Sequence, residues 1–118
     1  MQLKWTNLID LTQTGISKIK EVPGVYRLSF LNSVDNKYYV YYVGQSENLN
    51  DRLFQHLSGN ETNPCCNKHL ENYNCYFKAA AISAQSDRDG AEVSLYLHFK
   101  PSCPEKIPDV KPLEINFD

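Results

Sequence analysis

Two strand-forming runs separated by a short polar segment constrain the fold more than any other feature of the sequence. Residues 25–31 alternate between two faces, with Tyr26 on one and Arg27 on the other, and residues 37–43 form a second run that is rich in tyrosine. The five residues between the two runs, Asn-Ser-Val-Asp-Asn, are turn formers. The pattern predicts an antiparallel hairpin that ends near Gly44.

Helical spacing follows the hairpin. Leu49, Leu53 and Leu57 recur at intervals of four residues, which predicts a helix with Asn48 as its N-cap and an end at Gly59-Asn60. One further short helix is expected within residues 67–72.

The C-terminal half of the sequence predicts one more strand and one more helix. Residues 75–82 read as the third strand, and residues 91–99 as a helix preceded by a capping box formed by Ser86 and Asp89. The expected fold is therefore α+β, a small three-stranded antiparallel sheet flanked by helices.

Length and composition predict one domain over residues 1–118. Its 42% hydrophobic residues suffice for one packed core. We expect a helical N-terminal extension at residues 1–21 and an extended, proline-containing tail at residues 105–118. Because the sequence has no run of eighteen apolar residues and no basic N-terminal segment, we expect a cytoplasmic protein that does not enter the membrane.

The four cysteines, Cys65, Cys66, Cys75 and Cys103, are expected to be reduced thiols, since the sequence has no secretion signal. A zinc site built from Cys65, Cys66, His69 and Cys75 is the alternative. We favour unliganded cysteines because adjacent cysteines do not match the usual spacing of a zinc-ligand pair.

Three side chains on the predicted helices carry the chemistry of a candidate site. Arg52 and His56 are four residues apart and share a helix face, so a phosphate-binding guanidinium and a proton-accepting imidazole could reach one site. Glu92 shares its face with Leu95 and Tyr96, and a carboxylate on an apolar face requires a cation, a metal or strong donors.

Five segments occur in a fixed order along the chain: Gly24-Val25-Tyr26, Tyr42-Val43-Gly44, Gln45-Ser46-x-Asn48-Leu49-x-x-Arg52-x-x-x-His56, Glu92, and Lys100-Pro101. The set resembles the GIY-YIG nuclease family over about residues 22–104. Each motif alone is weak, but together they are fairly specific.

The resemblance implies an endonuclease that hydrolyses DNA phosphodiester bonds with a divalent metal. By analogy, Tyr26, Tyr42 or His56 would activate the attacking water. Arg52 would bind the scissile phosphate, and Glu92 would hold one Mg²⁺ (or Mn²⁺) ion. The substrate-binding residues implied are Gly44, Gln45, Ser46 and Arg52. A tyrosine base requires a nearby cation or metal-bound water because its ordinary pKa is about 10, whereas histidine requires no such shift, and both alternatives stay open.

One departure from the family pattern supports a second hypothesis. Many members place an asparagine three residues after the proline of the Lys-Pro pair, where this chain has Pro104. The net charge of −2 also counts mildly against strong DNA binding. The alternative function is therefore a catalytically weakened or inactive module that binds DNA or a protein. If the chain cleaves DNA, we expect weak affinity, loose sequence preference, or reliance on a homodimer or a targeting protein partner.

Overall fold

The computed structural model describes residues 1–58 and 63–118. The described elements, in chain order, are β1 (Ile9–Asp10), α1 (Gln13–Ile16), β2 (Gly24–Asn32), β3 (Lys37–Ser46), α2 (Leu49–Leu57), α3 (Pro64–Asn72), β4 (Cys75–Ala81) and α4 (Gln85–Phe99). The predicted helix end at Gly59-Asn60 lies outside the described residues. None of these helices combines the length and apolar character needed to cross a bilayer.

The sheet has four antiparallel strands in the order β1-β4-β2-β3, so the α+β class is confirmed and the count of three strands is wrong. The additional strand is β1, whose two residues pair with Phe77 and Tyr76 of β4. A two-residue strand leaves no alternation in the sequence, so its pairing is decided by tertiary contacts.

The helical extension predicted for residues 1–21 is wrong except for the single turn α1. Thr12 caps that turn by accepting a hydrogen bond from the Gly15 backbone N–H. Residues on either side of β1 instead bond to β4: the N–H of Thr6 donates to Ala79, and that of Leu11 donates to Cys75. Sheet pairing satisfies backbone groups that an isolated short helix would leave to water, and it prevails here.

The hairpin of β2 and β3 is confirmed, and it contains a bulge. Leu28 pairs with Tyr42 and Ser29 with Val40, so Tyr41 is the extra residue on β3. As a consequence, Tyr41 and Tyr42 both pack into the core cluster on the same side of the sheet, although they are adjacent in a strand.

Each face of the sheet has its own core. On one face, α1, α2 and α3 cover a cluster centred on Tyr26, Leu28 and Phe77. On the other face, α4 and both chain-terminal segments cover Val25 and Val43. The alternation predicted for β2 is therefore correct, and both of its faces are buried because β2 is an inner strand.

Residues 105–118 contain no helix or strand, and they pack against α4 and the N-terminal segment. The Leu113 N–H donates to the Gly90 carbonyl, and the Asn116 side chain exchanges hydrogen bonds with the backbone of Leu3. The tail is extended, as predicted, and it is held along its length.

Arg27 lies under this tail on the α4 side of the sheet. Its guanidinium carbon is 4.7 Å from the ring centroids of both Trp5 and Phe99, and Nη2 donates to the backbone oxygen of Asp118 at 2.6 Å. Burial lowers the pKa of Arg27 to about 10, and the charge of Asp118 opposes the shift. The cation therefore holds three parts of the chain together far from the tyrosines of the opposite face.

The capping box predicted at Ser86 and Asp89 is wrong. Helix α4 begins at Gln85, so both residues lie inside its first turns, and its N-cap Ala84 has no side-chain hydrogen bond. The buried Arg88 side chain donates to the carbonyls of Ile82 and Ser83 just before the helix. Asp89 is thereby available for a contact with β3.

Candidate active site

The first two residues of the candidate site face each other on the paired strands β2 and β3. Tyr26 is the cross-strand partner of Gly44, and its ring lies directly over that glycine. A Cβ atom at Gly44 would lie 2.6 Å from the Tyr26 hydroxyl oxygen, closer than any side chain permits. Glycine is required here for close approach, and it lets the Tyr26 hydroxyl reach towards α2.

The partner of that hydroxyl is His56. The Tyr26 hydroxyl oxygen and His56 Nε2 are 2.8 Å apart, and His56 is only 3% exposed. His56 follows Leu49 and Leu53 on the buried face of α2, which explains its position. Burial, and then the charge of Arg52, lowers the pKa of His56 to about 3, so the imidazole is neutral at physiological pH.

Tyr42 lies on the other side of His56, with their ring centroids 5.0 Å apart. Its side chain is 5% exposed, and its phenol interacts with the carboxylate of Glu105 and the guanidinium of Arg52. Burial raises the pKa of the Tyr42 phenol, the Glu105 carboxylate raises it further, and Arg52 opposes the rise. The phenol is therefore protonated at neutral pH.

Glu92 approaches from α4 and is 4% exposed. Its Oε1 accepts a hydrogen bond from Gln45 Nε2 at 2.9 Å, and the same amide nitrogen donates to Asp89 Oδ1 at 2.7 Å. Burial raises the pKa of Glu92 to about 7. The Gln45 hydrogen bond opposes this rise, and the charges of Glu105 and Asp89 add to it. The partner of the carboxylate is thus an amide donor.

The structure therefore places Tyr26, Tyr42, Arg52 and His56 beside one another. Glu92, on α4, is linked to them through Glu105, whose charge acts on both Glu92 and Tyr42. Besides Arg52, the three other residues predicted to bind substrate have structural contacts of their own. Gly44 lies under Tyr26, and Gln45 binds the α4 carboxylates. Ser46 Oγ donates to the Asn48 carbonyl and accepts from its N–H, which fixes the entry into α2.

Two residues beside this group have no place in the site that the sequence predicts. Asp89 accepts a hydrogen bond from Gln45, although the sequence predicts it as a capping residue, and Glu105 interacts with Tyr42, although the sequence places it in the tail. The only sequence signal for Glu105 is its position one residue after Pro104, close to where the family pattern has an asparagine.

The expectation that all four cysteines are reduced is wrong for two of them. Cys65 and Cys103 form a disulfide, with Cα atoms 5.5 Å apart, whereas Cys66 and Cys75 are free and buried. The pairing joins α3 to the segment after α4, and 38 positions separate the two cysteines in the sequence, so spacing gave no indication of it. Within the described residues, Cys65, His69 and Cys103 also form a compact ligand-like trio, in which the two sulfurs are already bonded to each other.

Comparison with known proteins identifies the fold. Neither a protein-family model nor a curated protein sequence matches the chain. Among solved structures, the chain is similar to the GIY-YIG N-terminal endonuclease domain of UvrC from Thermotoga maritima. The magnesium-bound domain gives a TM-score of 0.56 at 20% identity, with 77% of this chain and 97% of that domain covered.

Two variants of the same domain match in the same way. An asparagine-to-alanine variant bound to its catalytic divalent cation gives a TM-score of 0.58 at 19% identity, and a tyrosine-to-phenylalanine variant gives 0.57 at 20%. Both matches cover 80% of this chain and all of the domain. The chain has the GIY-YIG fold, as the motif order predicted.

Proposed function

We propose that this protein is an endonuclease that hydrolyses DNA phosphodiester bonds with the aid of a divalent metal ion. The observation that carries the proposal is the grouping of Tyr26, Tyr42, Arg52 and His56 on the GIY-YIG fold, with Glu92 linked to them through the charge of Glu105. The similar UvrC domain is an endonuclease domain with a bound magnesium ion, which supports the same reaction class here.

The donor set fits a hard divalent cation. Glu92 is a buried carboxylate that interacts electrostatically with Glu105 and Asp89, and mutual repulsion of this kind is relieved by a cation. Carboxylate oxygens are the ligands that Mg²⁺ and Mn²⁺ prefer. Glu92 would hold the ion, with Gln45 fixing the orientation of its carboxylate. When bound, the ion would polarise the phosphate and stabilise the charge on the leaving oxygen.

Arg52 is the residue we assign to the scissile phosphate. A guanidinium presents paired donors that match phosphate oxygens and keeps its charge at all relevant pH values. Arg52 lies on α2, is half-buried, and interacts with both Tyr42 and His56, so part of its side chain is open to solvent beside these residues. It would bind the phosphate and stabilise the charge that develops on its oxygens during attack.

Among the residues that could act on the attacking water, contacts favour Tyr42. Tyr26 and His56 are hydrogen-bonded to each other, whereas Tyr42 interacts with Arg52, the residue assigned to the phosphate. In this assignment Tyr42 orients the attacking water, and the Tyr26–His56 pair supports the position of α2. Gly44 and Ser46 act through the local backbone, and Gln45 acts through Glu92.

DNA is the proposed substrate, and we propose that a second copy of the chain or a targeting protein assists its binding. The net charge of −2 supports this because a strongly basic surface is the usual source of phosphate affinity. The cytoplasmic location expected from the sequence stays a prediction. The Cys65–Cys103 disulfide counts against a strongly reducing compartment.

A second function, a weakened or inactive module that binds DNA or a protein, is favoured by one specific observation. The carboxylate of Glu105 interacts with Tyr42, which also interacts with Arg52, the residue assigned to the phosphate. A fixed negative charge at this position would repel DNA in the absence of a metal ion.

Cleavage of supercoiled plasmid and of flapped DNA with Mg²⁺ or Mn²⁺ tests the proposal. The set comprises wild type, Glu92→Gln, Arg52→Ala and the control Glu71→Gln, which removes the same charge from an exposed position on α3. We expect metal-dependent nicking that falls at least about 100-fold in the first two variants and is unchanged in the control. Absence of cleavage by the wild type, with DNA still bound, would establish the second function.

A further inference from the structure

A series of side-chain hydrogen bonds leads from the start of α4 to Glu92. Arg88 Nη2 donates to Gln85 Oε1 at 2.8 Å, and Gln85 Nε2 donates to Gln45 Oε1 at 2.8 Å. Gln45 Nε2 in turn donates to Glu92 Oε1 at 2.9 Å. Two glutamine amides therefore join a buried cation to the carboxylate that we assign to the metal ion.

Arg88 is the fixed end of this series. Its side chain is 4% exposed, and Nη1 donates to the carbonyls of Ile82 at 3.1 Å and Ser83 at 2.7 Å. Both carbonyls lie in the connection between β4 and α4. A planar guanidinium that is held at one nitrogen by two backbone carbonyls has a defined orientation, and its other terminal nitrogen lies at Gln85.

The direction of both amides follows from the chemistry of this guanidinium. An arginine only donates, so Gln85 must present its oxygen to Arg88, and the NH₂ group of Gln85 then faces the oxygen of Gln45. Gln45 therefore presents its own NH₂ group to α4, where Glu92 lies. Reversing the Gln45 amide would set its NH₂ group against that of Gln85, and its oxygen against the oxygen of Glu92.

Asp89 holds the two amides together. Its Oδ1 accepts from Gln45 Nε2 at 2.7 Å and from Gln85 Nε2 at 2.8 Å. An NH₂ group has two hydrogens, so each amide can give one to Asp89 and the other to the next member of the series. Gln85 is exposed to solvent, and its contacts with Arg88, Gln45 and Asp89 are what hold its side chain in place.

We propose that Arg88 and Gln85 are positioning residues for Glu92: they fix the direction of the Gln45 amide, so that its NH₂ group and not its oxygen meets the carboxylate assigned to the metal ion. The inference rests on the proposed function and deepens it, because it names residues that orient the metal-binding carboxylate from a distance. With the amide inverted, two acceptor oxygens would face each other, and Glu92 would turn away from its present orientation.

Nuclear magnetic resonance of the side-chain amides tests the series without any nuclease assay. In ¹⁵N-labelled protein each glutamine NH₂ group gives its own pair of proton signals, and Gln45→Met identifies those of Gln45. Gln85→Glu should move them, because the new carboxylate accepts from Arg88 but has no hydrogen for Gln45. Gln55, whose NH₂ group donates to Asp51 at 3.2 Å, is the internal control and should not respond. Unmoved Gln45 signals would overturn the proposal.

The role of Arg88 is tested by whether its effect passes through Gln85. Arg88→Met should move the Gln45 signals in the wild-type background. In a Gln85→Met background the same change should leave them in place, because the middle member of the series is already gone. Movement in both backgrounds would show that Arg88 acts through general packing at the start of α4, and its assigned role would be wrong.

Metal binding shows whether the direction of the amide matters at the site. Mn²⁺ affinity, measured by calorimetry on the intact protein, should fall about 10-fold in Gln85→Glu, since groups that orient a metal ligand are worth about 10- to 100-fold. The matched control is Ser86→Glu, which adds the same charge at the next exposed position and should bind Mn²⁺ at least as tightly as wild type.

The two carboxylates lie in the first turn of α4, so they should affect the stability of the helix alike, and only the metal affinity should separate the variants. Equal affinities of Gln85→Glu and Ser86→Glu would overturn the proposal. If the wild type neither binds Mn²⁺ nor cleaves DNA, but the Gln45 signals respond as expected, the proposed function fails while the series from Arg88 to Glu92 stands.

Discussion

The hydroxyl oxygen of Tyr26 lies 2.8 Å from Nε2 of His56, and both side chains are withdrawn from solvent. The contact ties the central strand β2 to helix α2, which also carries Arg52. A buried polar pair of this kind specifies how the helix sits on the sheet. The pair therefore anchors the helix that carries Arg52.

Tyr26→Phe should act mainly on stability. The change removes one partner of a buried hydrogen bond and leaves His56 Nε2 without it, which costs about 1–3 kcal/mol in the free energy of unfolding. Tyr42→Phe should show the opposite balance, with a smaller stability loss and a larger loss of cleavage. Urea unfolding and plasmid nicking of both variants measure the two effects, and equal profiles would contradict the division of roles.

The stability of the metal-free protein should depend on pH through His56. Its pKa falls from 6.5 to about 3 on folding, so between these values the unfolded chain binds a proton that the folded protein does not. The His56 contribution to stability is therefore full above pH 6.5 and is lost on acidification, by at most about 1.4 kcal/mol per pH unit. The stability difference between wild type and His56→Gln, measured from pH 7 to 4, should shrink accordingly.

The contribution of Glu92 to stability should depend on pH with the opposite sign to that of His56. Its pKa rises from 4.5 to about 7 on folding, so its contribution is full below pH 4.5 and is lost as the pH rises through 7. In EDTA, Glu92→Gln should therefore gain stability relative to wild type as the pH increases over this range. A difference that does not vary with pH would show that the carboxyl is not perturbed.

Gly44→Ala should destabilise the fold through a steric clash. The new Cβ would meet the hydroxyl oxygen and ring of Tyr26 at 2.6–2.7 Å, and overpacking in a core costs about 1–3 kcal/mol. In a Tyr26→Leu background the cost should fall because the ring is gone. Thermal unfolding of the two singles and the double variant measures the coupling, and an unchanged cost would place the strain elsewhere.

Removing the disulfide should lower stability and also reduce cleavage. Cross-linking cysteines that are 38 positions apart restricts the unfolded chain, which is worth about 2–4 kcal/mol. Glu105 follows Cys103 by two residues, so breaking the disulfide should also loosen the interaction between Glu105 and Tyr42. Dithiothreitol should lower the Tm and the cleavage rate of the wild type but leave a Cys65→Ser/Cys103→Ser variant unaffected. Equal sensitivity of the two proteins would disprove this linkage.

The parts of the structure that the sequence predicted are those with periodic local signals. Residue spacing predicted the β2–β3 hairpin, the leucines of α2 with their Asn48 cap, and the buried face of α4 around Glu92. The motif order also predicted a common site for Tyr26, Tyr42, Arg52, His56 and Glu92, and the roles of these residues stay proposals.

The features that the sequence did not predict depend on contacts between residues that are far apart in the chain. Strand β1 is too short to leave a pattern, and the Cys65–Cys103 bond depends on how α3 and α4 pack. Regular alternation would put adjacent Tyr41 and Tyr42 on opposite faces, and the bulge that overrides it has no signature in the residues themselves. Glu105 reaches the site only because the chain folds back after α4.

The backbone bond between Cys103 and Tyr41 has a consequence for the behaviour of the protein in concentrated solution. Strand β3 is an edge strand, and the open edge of a sheet is a template on which other chains can add strands and aggregate. The bulge at Tyr41 interrupts the regular ladder, and the Cys103 N–H occupies a carbonyl that a foreign strand would need. The segment that brings Glu105 to Tyr42 thereby also shields this edge against intermolecular β-pairing.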